Sequence, residues 1–411
     1  MTVDVVRRVA VDLIGDVTEK GRLLSEVMAR RVEKLAPEER ARVQRLVLES
    51  FRGMDRADRM LGPFLKKRPG PRVLNILRLG VVEICHGGAA HGVVNACVEI
   101  AKSSAETRRQ AGLINAVLRK VDPGKWDALP VPRLPKWLRK VLVADYGKQA
   151  VAAMEAAHFA GAPLDVTAQR PVGFGTPLPT GSVRLAEYGQ VSALPGYAEG
   201  DWWVQDAAAA LPAKVLAPAA GARVLDLCAA PGGKTMQLAA SGARVTAVDI
   251  SRTRMGRVEE NLRRCGLSAE LVMSDALRYE AAPFDAVLLD APCSATGTIR
   301  RHPDLPHAKD GGDFPALFEL QAHLIDHALG LLKPGGRLVF CTCSLLIDEG
   351  EEQVRDAMVR HAGLTPDLKA LHLPGVDPAW IGPEGLRLRP DFWADAGGMD
   401  GFFIAALRKP L

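Results

Sequence analysis

The sequence predicts three architectures in succession: an all-α bundle, a small α+β segment, and an open α/β sheet of mostly parallel strands. Three observations carry this reading. Apolar residues recur at helical spacing through about the first 121 residues. Between residues 163 and 204, short β-branched and aromatic runs are broken by Gly and Pro. From Gly221 onward, strand-like runs alternate with helical ones, and a glycine-rich turn follows the first strand.

The totals fit such a chain. With 411 residues, 48% of them hydrophobic and 25% charged, there is material for two or three cored domains. Met1 to Asp12 mixes charges with valines and lacks a signal-peptide core, and no run of roughly eighteen apolar residues occurs. Seven cysteines without framework spacing point to reduced thiols, so a cytoplasmic protein is expected. The net charge of +5 is uneven: residues 1–150 hold 29 Lys+Arg against 17 Asp+Glu, and residues 151–411 hold 24 against 31. A basic half beside an acidic one suits a polyanion partner, although a solvated basic surface would look the same.

In chain order, Val5, Val9, Leu13 and Val17 open the helical set, and Val43, Leu46 and Val47 continue it. Pro37 with Glu38 and Glu39 forms a first helical turn, with the acids at the positive dipole end. Val73 to Ile84 is apolar nearly all round, which predicts a central buried helix. Gly87-Gly88 then breaks the chain before helices through Val94–Ser103 and Ala105–Val121. The segment from Asp122 through Pro130, Pro132 and Pro135 reads as a linker, followed by helices at Lys136–Tyr146 and Lys148–His158. Strands are expected at Leu164–Thr167, Val183–Leu185 and Trp202–Val204.

The α/β part predicts strands at Arg223–Cys228, Arg244–Val248, Ala269–Met273, Asp285–Asp290 and Arg337–Cys343. Helices fall near Lys234–Ala240, Arg252–Cys265, Phe314–Leu332 and Glu349–His361. Asp400–Leu407 is expected to close the sheet as a late antiparallel strand.

Two places carry chemistry. In Cys228-Ala229-Ala230-Pro231-Gly232-Gly233-Lys234, the glycines permit close backbone approach and the helix start favours a carboxylate. The loop is neither a Walker loop nor a dinucleotide fingerprint. Asp249 and Asp275 at the next strand ends are placed for the ribose hydroxyls and the adenine amine of an adenosyl cofactor. Lys234 takes a charge role near that cofactor's methionine part or near Asp290.

The second place is a pair of thiols, Cys293 in Asp290-Ala291-Pro292-Cys293 and Cys343 in Thr342-Cys343-Ser344. A thiolate adding to carbon 6 of a cytosine makes carbon 5 enamine-like and able to attack a methyl sulfonium. Asp290 would supply the proton or hydrogen bond at ring N3. Cysteine stands where amine methylases carry an aromatic residue, which argues for ring-carbon chemistry. Spacing leaves open which thiol attacks. A zinc site of Cys293, Cys341 and Cys343 finds no supporting C-x-x-C or His pattern, so no metal is expected. Cys85, Cys97, Cys228 and Cys265 are read as non-catalytic.

Residues 3–121 resemble the NusB-type RNA-binding bundle through Leu77-Arg78-Leu79-Gly80, Ala96–Lys102 and Leu113–Arg119. Residues 130–411 resemble the RNA (cytosine-5) methyltransferases, and with the helical front the chain is similar to the Sun/RsmB group. The motifs are Asp226–Thr235, Asp285–Ile299, Arg300-Arg301-His302-Pro303-Asp304, Thr342-Cys343-Ser344 and Asp400–Ala405.

The resemblance implies a Rossmann-like class I methyltransferase sheet and S-adenosylmethionine held by residues 228–234, Asp249, Asp275 and Asp290. It makes Cys343 the nucleophile and Cys293 the helper of product release. It also implies 16S ribosomal RNA as substrate, with a target of the cytosine-967 type, and a monomer with no membrane association. Transfer RNA as substrate and a non-catalytic assembly or antitermination factor are the alternatives. The implied domains are 1–125 (NusB-like), 126–210 (linker and RNA-positioning α+β subdomain) and 211–411 (methyltransferase). The chain departs from the group at Asp165–Arg170, where an Arg-x-Asn-like strand is usual. It departs again at Leu305-Pro306-His307, which replaces a Lys-Trp pair. Arg300 and Arg301 are the expected RNA contacts of that loop, with solvent-facing charge as the alternative.

Overall fold

The fold is taken from a computed structural model that describes residues 4–411. Met1, Thr2 and Val3, which open the segment read for a signal peptide and include the first residue of the NusB-type match, lie outside the described residues. The chain forms two compact units: residues 1–161 with 299–311, and residues 162–298 with 312–411.

The first unit is helical: α1 (Val5–Lys20), α2 (Leu24–Val32), α3 (Pro37–Arg52), α4 (Met54–Leu61), α5 (Pro71–Cys85), α6 (Ala90–Lys102), α7 (Ala111–Leu118) and α8 (Lys136–Ala160). Asp4 caps α1 by accepting the Arg7 N–H, and Pro37 opens α3 as expected. Helix α5 is the buried centre. All of residues 73–84 are buried, and its polar members are matched: Arg78 grips Asp58 at 2.7 and 2.6 Å, and Glu83 receives both arms of Arg7 at 2.6 Å. Helix α7 starts at Ala111 rather than Ala105, because residues 104–107 are used in a turn closed by Thr107 on the Ala101 carbonyl. Gly147, at φ 80°, breaks α8 where two helices were expected.

The expected linker is packed rather than free. Trp126 is buried, and the buried Arg56 donates to the carbonyls of Leu129 and Pro130 while lying 4.3 Å over the Phe159 ring.

In the second unit, β1 (Leu164–Ala168), β2 (Thr176–Pro177), β3 (Val183–Leu185) and β4 (Trp202–Val204) form an antiparallel sheet in the order β2-β3-β1-β4. Inside it, Arg184 and Asp165 are both buried and paired at 2.7 Å twice over. Helix α9 (Leu211–Leu216) leads into the large sheet. Its first half comprises β5 (Arg223–Leu227), α10 (Gly233–Ala240), β6 (Arg244–Asp249), α11 (Arg252–Cys265), β7 (Glu270–Met273) and β8 (Phe284–Asp290). After the short α12 (Leu305–Ala308) of the first unit come α13 (Phe314–Gly330), β9 (Leu332–Thr342), α14 (Glu351–Arg360), β10 (Thr365–Pro366), β11 (Leu386–Leu388) and β12 (Phe402–Arg408).

Strand order is β10-β12-β9-β8-β5-β6-β7, with β11 also on β12. Strands β9, β8, β5, β6 and β7 run parallel, and β12 is antiparallel to β9 with Ile404 opposite Cys341. The buried strands carry continuous apolar runs, as a sheet covered on both faces requires. Chain order reverses between β5 and β8, which opens a crevice at their carboxyl ends. Among the described residues, no helix is long and apolar enough to cross a membrane.

The units cut the chain differently from the boundaries expected at 125 and 210. Helix α8 belongs with the bundle and the small sheet with the large one, because Glu155 in α8 binds the linker's Leu134 N–H, whereas Gln169 beside β1 donates to the Cys265 carbonyl at the end of α11.

Candidate active site

The glycine-rich turn joins β5 to α10 at the crevice. Gly232 has φ 98°, and a Cβ there would lie 2.9 Å from Val258 Cγ1, so the position requires glycine on two counts. Cys228 reaches φ 60° without being glycine, a costly conformation of the kind held at functional sites. Its thiol is pushed up by burial among carboxylates, consistent with a non-reactive loop residue. The backbone of Ala229 and Ala230 runs against the end of β6: the Ala229 N–H donates to the Val248 carbonyl, and the Ala230 N–H donates to Asp249 Oδ2 at 3.1 Å.

The sequence-predicted acids sit at strand ends, each already engaged. Asp249 is buried, and its Oδ1 accepts from the Ser251 N–H at 2.9 Å. Asp275 is half-exposed and caps a short turn by accepting the Leu277 N–H at 3.0 Å. On the strand beside β6, toward β8, lies an acid not singled out from sequence, Asp226 in β5. It is fully buried, accepts from the Thr235 hydroxyl at 2.6 Å, and leaves Oδ1 without a partner among the described residues. Burial raises its carboxyl to about 7.

On the other side of the crevice, Asp290 ends β8. Lys234 donates to its Oδ2 at 2.7 Å, and the Cys341 thiol donates to its Oδ1 at 3.4 Å. Lys234 is buried and lies 5.3 Å over the Phe402 ring; despite the desolvation of its site, the carboxylates around it hold its ammonium above the ordinary lysine value. Cys341, level with Asp290 in the β8–β9 register, is fully buried, and burial pushes its thiol up. Cys341 and Cys343 therefore do not act together: the first faces Asp290, and the second lies past the end of β9.

The two predicted thiols meet. Cys293 Sγ and Cys343 Sγ are 3.5 Å apart, each on a loop leaving adjacent parallel strands. The hydrogen bond with Cys343 and burial push the Cys293 thiol well above the ordinary range. Ala295, two residues on, has φ 58°, a second strained non-glycine residue beside the chemistry. Among the described residues, no cluster of His, Cys, Asp and Glu is arranged to hold a metal ion.

The expectation for Arg300 needs correction. It is fully buried in the helical unit rather than facing RNA or solvent, and its carbonyl accepts from Arg52 at 3.1 Å. The segment turns inward: Asp304 accepts the Leu24 N–H at 2.8 Å, and α12 packs beside α1. Arg301 is half-buried.

A second correction concerns Glu349, expected as a first-turn residue of a helix. It closes a short 3-10 turn, Ile347–Glu349, and its side chain is fully buried. The acidic run Asp348-Glu349 followed by Glu351-Glu352 looks like helix-dipole charge in sequence, which hid it.

Comparison with known proteins agrees with this architecture. Residues 213–408 match the family described as 16S rRNA methyltransferase RsmB/F, and residues 4–123 match the NusB family. Ribosomal RNA small subunit methyltransferase B of Klebsiella pneumoniae is 34% identical, with 98% of each chain covered. Its namesake in Vibrio cholerae is 35% identical over 98% of this chain and 97% of its own. Among solved structures, PH0851 shares the fold at a TM-score of 0.74, with 21% identity over 100% of this chain and 99% of its own. A methyltransferase homolog protein from Pyrococcus horikoshii superposes at 0.56, with 28% identity over 67% of this chain and 95% of its own. Similarity at this level, running through both the helical front and the sheet, places the chain in the ribosomal RNA small subunit methyltransferase B family.

Proposed function

We propose that this chain transfers a methyl group from S-adenosylmethionine to carbon 5 of a cytosine in 16S ribosomal RNA, through a covalent cysteine adduct at carbon 6. The observation that carries the reading is the thiol pair at 3.5 Å, one strand end away from an Asp290 held by Lys234.

The residues around the crevice fit an adenosyl cofactor. The turn at Gly232 leaves backbone room, α10 begins there, and acids occupy the ends of β6 and the segment after β7. Residues 228–234 would line the methionine part, Asp249 the ribose and Asp275 the adenine. When bound, S-adenosylmethionine supplies an electrophilic methyl group.

The chain's own residues then divide the work. The Cys343 thiolate adds to carbon 6, and the ring's extra electron pair is met at N3 by a proton or hydrogen bond through Asp290, which Lys234 orients. Carbon 5 takes the methyl group. A base removes the carbon 5 proton, the carbon 5–carbon 6 double bond re-forms, and the Cys343 thiolate leaves with Cys293 assisting. Cys341 steadies the second oxygen of Asp290.

The target cytosine must leave its stack to reach this crevice, which favours RNA that is not yet fully assembled into the subunit. We assign the target to the 967 type, the helical unit and small sheet to RNA positioning, Arg301 to a backbone contact, and the site of action to the cytoplasm, with the protein acting as a monomer. Bisulfite conversion of 16S RNA from cells with and without the gene tests this. One protected cytosine should become convertible when the gene is lost; an unchanged pattern would reject the assignment.

A further inference from the structure

Glu349 is a fully buried carboxylate with no cationic partner among the described residues. Its oxygens accept from the Ser294 N–H at 2.8 and 3.2 Å, from the Ser294 hydroxyl, and from the Gln321 amide at 3.0 Å. Among the described residues, each of these hydrogen-bond partners is a neutral donor. Burying a charge without a counter-charge is costly, so its location calls for a reason.

The location is between the two cysteine loops. Ser294 follows Cys293, and its hydroxyl lies 3.1 Å from that of Ser344, which follows Cys343. The Thr296 hydroxyl touches both serines, at 3.1 and 3.2 Å, and accepts the Leu345 N–H at 2.9 Å. Gln321 also donates to the Pro292 carbonyl at 2.8 Å, and the Glu349 carbonyl accepts from the Thr342 hydroxyl at 2.9 Å. Each cysteine is thus flanked on both sides by residues tied to Glu349 directly, through one hydroxyl, or through the Gln321 amide. The carboxylate itself is tied directly at Ser294, beside Cys293, whereas beside Cys343 it is reached from Ser344 through the Ser294 hydroxyl, and Thr342 meets only the Glu349 backbone carbonyl.

We propose that Glu349 is the positioning residue that makes two like thiols unlike: it locks the loops together and, sitting against the Cys293 side, keeps the pair's negative charge on Cys343. The inference rests on reading the pair as nucleophile and helper, and supplies a physical cause for that division. The groups facing Cys293 agree with it. The Cys343 sulfur and the Glu349 carboxylate both oppose a charge there, and the Ala295 N–H favours one. With a proton retained on Cys293, its S–H is available to donate to the Cys343 thiolate.

The test uses the full-length protein without RNA or cofactor. Iodoacetamide labelling at pH 7, read by peptide mass spectrometry, gives the relative reactivity of the two cysteines. Cys343 should react at least about tenfold faster in the wild type, because the thiolate is the form that is alkylated. E349Q keeps an acceptor for the Ser294 N–H and removes the charge, so the preference should fall on the order of tenfold. S344A cuts the hydroxyl link and leaves the charge; it should keep the preference while slowing methyl transfer. Equal reactivity in the wild type overturns the proposal whether or not E349Q folds. So does an unchanged preference in an E349Q protein with wild-type circular dichroism. Methyl transfer to 16S RNA is measured alongside. Its absence from the wild type would reject the proposed reaction, whereas the labelling ratio alone judges Glu349.

Discussion

Replacing Lys234 with Met probes the centre of the proposed site with little change in volume. The ammonium is buried, donates to Asp290 Oδ2 at 2.7 Å, and faces the Phe402 ring, where a methionine thioether is also accommodated. What the substitution removes is one charge-assisted hydrogen bond to a carboxylate, worth about 1.5–3 kcal/mol. Asp290 is left with the weaker Cys341 S–H at 3.4 Å, so the loss falls on the group that meets ring N3. That contact is needed as the carbon 6 adduct forms, so the cost appears in kcat. At about 1.4 kcal/mol per tenfold, the expected fall is roughly ten- to 150-fold, with little change in RNA KM. Lys234→Arg should not restore it, because a planar fork does not fit a buried slot shaped for a point charge. Labelled methyl transfer to 16S RNA under saturating cofactor gives the numbers, with thermal melting as the folding control. A K234M protein that melts normally and turns over within about twofold of wild type would refute the role of the Lys234–Asp290 pair.

Two further outcomes concern stability. Arg184→Ala leaves the fully buried Asp165 carboxylate with the Ala207 N–H, at 3.1 Å, as its remaining donor among the described residues, and should destabilise the sheet-containing unit by about 3–5 kcal/mol, read from the denaturant midpoint. His158 is buried with both ring nitrogens unpartnered among the described residues, and burial, with the nearby Arg300 charge, holds it at about 3 instead of 6.5. Because its folded value is depressed, the stability linked to its neutral form is intact above about 6.5 and drains away as pH falls toward 3. His158→Leu should flatten that loss in a denaturation series across this window; an unchanged slope would reject the attribution.

Much of this site could be read in the sequence because its parts obey local rules. Strands ending in acids, a Gly-Gly turn before a helix, and cysteines placed just after apolar runs survive any tertiary arrangement that builds a parallel sheet. The antiparallel closing strand was legible for the same reason, in the apolar run from Phe402 to Leu407. What was hidden depends on partners distant in the chain. Arg300 reads as a loop charge until residues 299–311 are seen folded into the helical unit, more than two hundred positions from their helical partners such as Arg52. Glu349 reads as a helix-start acid until Ser294 and Gln321 are found aimed at it. The symmetry between the two thiols is broken by that same residue and by nothing in their spacing.

Covalent trapping tests the central claim most directly. Purified C293A and C343A proteins are incubated with 16S RNA and S-adenosylmethionine, then resolved under denaturing conditions. If Cys343 attacks and Cys293 assists release, C293A accumulates a protein–RNA adduct carrying the labelled methyl group, and C343A forms no adduct and transfers no methyl. A C343A protein with full turnover, or an adduct formed through Cys293, would contradict the account.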